Sequence, residues 1–283
     1  MATSLHDIEP SGEPLPAYAD QLQAFHTGFR RELEEIIQSL PLASGMRVLD
    51  VACGDGFYTE LLARRVGPGG FVLGLDSSLS YLQRAETHRG AYLCASLDAM
   101  PLEPSSFDFV WCAQNLYSVP DPVRALSSLH RTLRPGGMLG VLENDTIHEV
   151  LFPWPGRLEL AVRAAEYRSL CAETSRPSKF YVGRDLSRVL ARAGFEPLAL
   201  RSQVIDRATP LGSAEAFFVR GYLQRLVERV QPYLDETALA EFMNLAEEDS
   251  PNYLLDREHV TISWMNVLAI ARRATAVSTE DKR

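Results

Sequence analysis

At 283 residues, 46% apolar and 9% aromatic, the chain can bury a large core and suits one elaborated domain or a domain carrying a lid. Its formal net charge of -9 argues against a protein that works by neutralising nucleic-acid phosphates, and no run approaches the ~20 apolar residues that a bilayer span needs. Cys53, Cys94, Cys112 and Cys171 are widely separated and no histidine stands at metal-ligand spacing, so neither a metal site nor a disulfide framework is expected, and a reducing cytoplasm fits best.

In chain order, Met1 to Pro16 is rich in proline, acids and small residues, and Tyr18 to Leu40 turns helical, with Leu22, Phe25, Phe29, Leu33, Ile36, Ile37 and Leu40 on one broad face. The stretch Arg47 to Arg65 then reads as strand, tight loop and helix: an apolar run from Val48 to Val51, a glycine-spaced turn from Cys53 to Gly56, and a helix-patterned segment. A dinucleotide fingerprint would place a third glycine where Thr59 stands. Asp50 at the strand end and Asp55 between the glycines would repel a pyrophosphate and attract an ammonium or sulfonium group, and S-adenosylmethionine carries both. The competing reading makes Asp55 a helix cap and Asp50 a strand terminus.

Phe71 to Asp76 reads as a second buried strand ending in an acid about twenty residues beyond the turn, where a ribose diol needs an acceptor; Asp76 also suits the N-cap of a helix beginning near Ser78. Leu79 to His88 suggests a helix and Ala91 to Ala95 a short third strand. Asp98 follows in a loop closed by Pro101 and Pro104, where an acid can accept from the exocyclic amine of adenine while the next backbone N–H, that of Ala99, donates to the ring. Phe107 to Cys112 is the expected fourth strand, and its end, Ala113 to Tyr117, lies where cofactor and acceptor should meet, with Asn115 and Tyr117 able to orient an acceptor. Asp121 and Pro122 read as N-cap and first-turn proline of a helix, and Met138 to Leu142 as the fifth strand.

Beyond it come Glu143, Asn144 and Asp145, then His148, the first choice for a general base if the chemistry needs one. A helix is expected from Leu158 to Cys171 and another from Arg184 to Ala193, stopped by Gly194. Phe195 to Ile205 should be a sixth strand and Val260 to Ile270 a seventh hairpinned against it. Between them Leu211 to Glu248 is helical, with Phe217, Phe218, Tyr222, Leu226, Val230 and Tyr233 at helix spacing.

VLDVACGDG, Asp76 at the close of the second strand, CASLDAMPLEPSSFDFVWCAQNLYSV (Cys94 to Val119) and RTLRPGGMLGV (Arg131 to Val141) together, in this order and spacing, resemble the class I S-adenosylmethionine-dependent methyltransferases, particularly the small-molecule branch related to ubiquinone and menaquinone biosynthesis enzymes. The resemblance implies an α/β fold: a Rossmann-like, seven-stranded, mostly parallel sheet with its last strand antiparallel, an N-terminal helix and a helical lid. It implies S-adenosylmethionine as cofactor, held by Asp50, Ala52, Gly54, Gly56, Asp76, Ser77, Asp98, Ala99 and Ala113; Asn115, Tyr117 and His148, read from their places at the strand ends, are then expected on the acceptor side. In related enzymes a helix before the core folds over the cofactor, which makes Tyr18, Phe25, His26 and Arg30 candidate contacts. The expected segments are an arm and helix (1–45), a cofactor-binding core (46–147), a lid segment (148–181), core continued (182–206), a helical lid insertion (207–258) and a last strand and tail (259–283). The expected partner is a small, partly apolar methyl acceptor, with no nucleic acid and no membrane. A nucleotide-dependent oxidoreductase and a noncatalytic adenosylmethionine-binding protein are the alternatives on this fold.

Overall fold

The structure, a computed structural model, describes residues 15, 17–85, 89–145 and 149–274. Its strands are β1 (Arg47–Val51), β2 (Phe71–Asp76), β3 (Ala91–Cys94), β4 (Phe107–Ala113), β5 (Leu133–Glu143), β6 (Val150–Leu151), β7 (Phe195–Ala208) and β8 (Thr261–Arg273). They form one sheet in the order β3-β2-β1-β4-β5-β8-β6, with β7 on the other edge of β8. The pairs among β1 to β5 are parallel, and β8 runs antiparallel to β5, β6 and β7. The mostly parallel sheet with an antiparallel last strand is therefore as expected; the eighth strand is Val150–Leu151, two residues ended by Phe152 and Pro153 and too short to leave a pattern.

Successive strand residues point to opposite faces, and both faces are covered. Val48, Phe109 and Trp111 belong to one apolar core, and Leu49, Val110 and Cys112 to the other. Such burial on both sides is why these strands read as continuous apolar runs. On the first face lie α1 (Ala19–Gly28), α2 (Arg30–Ser39) and α3 (Phe57–Val66); α4 (Leu79–Ala85) follows β2. The second face packs α5 (Pro122–Thr132) and, further on, α7 (Val182–Arg192), whose Leu186 and Leu190 are buried; full burial of a leucine contributes about 2 kcal/mol. Between them in sequence, α6 (Gly156–Glu173) returns to the first face, where α8 (Ser213–Val230) and α9 (Glu236–Ala246) also pack.

The single helix expected over Tyr18 to Leu40 is two, broken at Phe29 just after Gly28. A Cβ on Gly28 would come within 2.8 Å of Glu215 Cγ, so α1 passes α8 at close range there, and glycine weakens the helix at the same point. Phe29 is fully buried, its ring 4.7 Å from that of Trp264. The expected helix Leu79 to His88 is observed as far as Ala85; residues 86–88 lie outside the described residues.

Asp121 caps α5 as its sequence position suggests: Oδ1 accepts from Val123 N at 3.0 Å and Arg124 N at 3.2 Å, and Pro122 occupies the first turn. Asp121→Ala should lower the unfolding free energy by about 1 kcal/mol in urea titration; an unchanged midpoint would show that the cap contributes nothing.

Candidate active site

Strand order reverses between β1 and β4, and in open α/β sheets the crevice beyond the carboxyl ends at that point is where ligands bind. A cavity of about 630 Å³ opens there. One half is built on the β1 turn, which needs left-handed backbone at Ala52 (φ 55°), Gly54 (φ 53°) and Gly56 (φ 80°). Gly56 also has no room for a side chain, because a Cβ would lie 2.7 Å from Tyr92 Oη and 2.9 Å from Ala85 Cβ.

Asp76 ties this turn to the next strand. Its Oδ2 accepts from Gly54 N at 2.9 Å and its Oδ1 from Ser78 N at 2.8 Å. Asp76 thus bonds the start of the following helix and also lines the cavity. Ala52, Gly54, Ser77, Asp98 and Ala113 line it too, whereas Asp50, Gly56 and Ala99 do not. The Ala99 amide, expected to face a ring, donates to Ser96 O at 3.0 Å.

Asp50 points into the protein, where it accepts from Thr59 Oγ1 at 2.6 Å. Burial pushes its carboxyl up to about 7, with the charges of Asp76 and Asp55 adding to the shift. An acid with a raised folded-state pKa is stabilised in its protonated form. Below pH 4 it is protonated in both states; between about 4 and 7 only the unfolded chain has lost the proton, so stability falls as pH rises through that window. Asp50→Asn should flatten this slope in urea titrations at pH 5 and pH 7.5; an unchanged slope would mean that Asp50 ionises normally in the fold.

Asp55 also turns back: Oδ1 accepts from Phe57 N at 3.2 Å, and Oδ2 lies 3.2 Å from His26 Nδ1. The His26 ring stacks on Phe57, centroids 4.2 Å apart, and lines the cavity. The acids that reach this half of the cavity are thus Asp76 and Asp98, not the pair at the glycine turn. Helix α1 roofs the half: Tyr18 and Leu22 line it, and a Cβ on Gly54 would meet Leu22 Cδ2 at 3.4 Å. Arg30 lies outside it, its guanidinium 5.0 Å over the Phe57 ring.

The other half is built from the ends of β4 and β5. Three successive amides after β4 bond to the end of β5: Gln114 N to Leu142 O at 2.7 Å, then Asn115 N and Leu116 N to Glu143 Oε1 at 2.8 and 2.6 Å. Gln114 turns the chain with φ 50°. Asn115 and Tyr117 line the cavity. His148 lies outside the described residues.

Sequence reasoning did not select Glu143, Glu149, Glu166, Tyr222, Arg225 or Arg229, all of which line this half. Burial holds the carboxyls of Glu143, pushed up to about 8, and of Glu149 above the usual range. Glu166 is buried between two arginines, Arg163 Nη1 at 3.0 Å and Arg229 Nη1 at 3.4 Å, and Arg163 also bonds Glu159 and the Val150 carbonyl. Two signals were available: Glu143 stands at a strand end, and Tyr222, Arg225 and Arg229 are spaced for one helix face. Phe25, Phe218 and Trp264 complete the wall with aromatic surface. Among the described residues no cluster of histidine, cysteine and acids could hold a metal ion, and no helix is long and apolar enough to cross a membrane.

The architecture matches solved structures across most of its length. A protein of Bacillus halodurans C-125 solved as a candidate methyltransferase superposes with a TM-score of 0.55 at 19% identity, covering 87% of this chain and 100% of that one. The [4+2]-cyclase SpnF does so at 0.52 and 19%, covering 91% and 94%. At such identities the likeness speaks for the fold alone. The sequence goes further: residues 49–141 match the methyltransferase domain family. Demethylmenaquinone methyltransferase of Staphylococcus aureus (strain JH9) is 32% identical over 187 residues, covering 60% of this chain and 76% of that protein. With the glycine turn, the acid closing β2 and the crevice at the strand-order reversal all in place, the chain belongs to the class I S-adenosylmethionine-dependent methyltransferases, enzymes that take their methyl group from that cofactor.

Proposed function

We propose that the acceptor is a small, partly apolar, ring-bearing metabolite, and that cofactor and acceptor occupy the two halves of the cavity. The observation that carries this reading is the contrast between the halves. Backbone turns, Asp76 and Asp98 form one, as a polar nucleoside with an ammonium group requires; the aromatic rings of Phe25, Phe218 and Trp264 with a few buried polar groups form the other. The name of the Staphylococcus aureus relative, a demethylmenaquinone methyltransferase, points to a quinone-type ring as one acceptor of this description.

The residues present fit the cofactor. Asp76 uses one lone pair of each oxygen on a backbone amide, which leaves further lone pairs for the two hydroxyls of a ribose. Asp98 stands on the 3-10 turn Leu97–Ala99, where Ser96 Oγ accepts from its amide at 3.3 Å, so its carboxylate is the group offered to an exocyclic amine. S-adenosylmethionine supplies a methyl carbon on a positively charged sulfur, a leaving group that makes a covalent enzyme intermediate unnecessary. What remains for the protein is to orient the acceptor and exclude water. In this reading the amides tied to Glu143 fix Asn115 and Tyr117, and α1 and α8 roof the cavity.

Release of S-adenosylhomocysteine from a panel of ring-bearing and acyclic polar acceptors tests the proposal. Turnover confined to ring-bearing compounds is expected; turnover confined to the acyclic ones would overturn it.

A further inference from the structure

We propose that Glu143 is the proton acceptor of the reaction and that the acceptor it serves is a hydroxyl on the ring. The inference rests on the reading of the cavity given above and deepens it.

The geometry of Glu143 is divided. Oε1 is consumed by the amides of Asn115 and Leu116, which lock the carboxyl in place at the carboxyl end of β5. Among the described residues Oε2 is buried and has no hydrogen-bond partner, although the residue lines the cavity. Leaving such an oxygen unsatisfied costs about 1 to 3 kcal/mol, a cost that a ligand donating a hydrogen bond removes.

Charge decides between donors. Among the described residues the charged groups lining this half are Glu143, Glu149, Glu166, Arg225 and Arg229. With Glu143 held protonated by burial while the site is empty, two carboxylates meet two guanidiniums, so nothing in this half calls for a cationic substrate, and a neutral hydroxyl is the donor that fits. The ionisable groups that act on Glu143 are Cys112 on β4, Tyr117 after it and Glu149 before β6, and those that share its cavity are Glu166 on α6 and Tyr222, Arg225 and Arg229 on α8. Burial among them keeps Glu143 a stronger base than an exposed carboxylate. In the step, the hydroxyl proton passes to Oε2 and an oxygen lone pair forms the bond to the methyl carbon. The carbon–sulfur bond breaks with its electron pair going to sulfur, so a methyl ether, a neutral thioether and a protonated Glu143 result.

The test uses the full-length protein with 1-naphthol and 1-naphthylamine, matched in shape and differing in the donor. Calorimetry of each compound binding to the protein–S-adenosylhomocysteine complex at pH 7, in buffers of different ionisation enthalpy, counts protons released. Because Glu143 is largely protonated when the site is empty of acceptor, naphthol should release protons from the wild type and none from Glu143→Gln, a change that keeps an oxygen for the two amides. With S-adenosylmethionine, the single-turnover rate should rise with pH towards 8 in the wild type. In Glu143→Gln it should be flat and 10² to 10⁴-fold lower, with unchanged affinity for S-adenosylhomocysteine. Equal proton release by both proteins, a preserved pH limb in Glu143→Gln, or loss of that limb in His148→Asn alone would remove Glu143 from the role. Preference for naphthylamine would overturn the hydroxyl. Failure of both compounds, and of the wider ring-bearing panel, to bind would overturn the reading of the acceptor and this inference with it.

Discussion

Asp76→Asn should weaken S-adenosylhomocysteine binding about 10²-fold in calorimetry while the far-ultraviolet spectrum is unchanged. The carboxylate accepts from Gly54 N and Ser78 N, so an amide must turn its nitrogen toward one of these donors. That loses a charge-assisted hydrogen bond at the turn and removes the anion facing the cavity, each worth about 1.5 to 3 kcal/mol; a loss of about 3 kcal/mol is the 10²-fold stated. The melting temperature should fall by a few degrees as well, because the bond lost at the turn also belongs to the unliganded fold. Unchanged affinity would detach Asp76 from the cofactor and with it the placement of the nucleoside half.

Arg163→Met should cost about 3 to 5 kcal/mol of unfolding free energy, read from the midpoint in urea. The methionine fills similar space, but Glu166 would then stay buried with Arg229 alone, and the Val150 carbonyl would lose its donor. Breaking a buried pair from one side strands the other charge, which is why the penalty exceeds the net worth of the pair. The double change Arg163→Met with Glu166→Leu should recover part of the loss, since the fully buried carboxylate of Glu166 is then gone and only the partly exposed Glu159 has lost its partner. A single variant as stable as the wild type would show that Arg229 suffices.

Much of the nucleoside half was legible in the sequence because its determinants are local. A turn with left-handed residues at Gly54 and Gly56 must be glycine-spaced, and an acid that bonds the turn must close the neighbouring strand, as Asp76 does. The direction of Asp50 was not legible. A strand residue faces one side or the other, and only the position of Thr59 on α3 shows that this carboxyl is turned inward. The glycine-turn acids were expected to attract the cofactor's charge; Asp50 and Asp55 are instead bonded back into the fold, and Asp76 and Asp98 line the cavity. The acceptor half was the least legible. Glu143, Glu166 and Tyr222 come together from β5, α6 and α8, segments with no shared motif, and each residue taken singly reads as an ordinary helix or strand-end side chain.

The hairpin of β7 and β8 pairs without interruption at its open end, where Ala208 faces Thr261, and the whole α8–α9 segment leaves and re-enters the chain between those two residues. Lengthening or rewriting a loop anchored at adjacent points adds little closure entropy, about 0.6 kcal/mol per doubling. The α8–α9 segment can therefore change in length without disturbing the register of β7 and β8, whereas a change at Glu215 or Phe218 would be passed to α1 and so to the glycine turn beneath it.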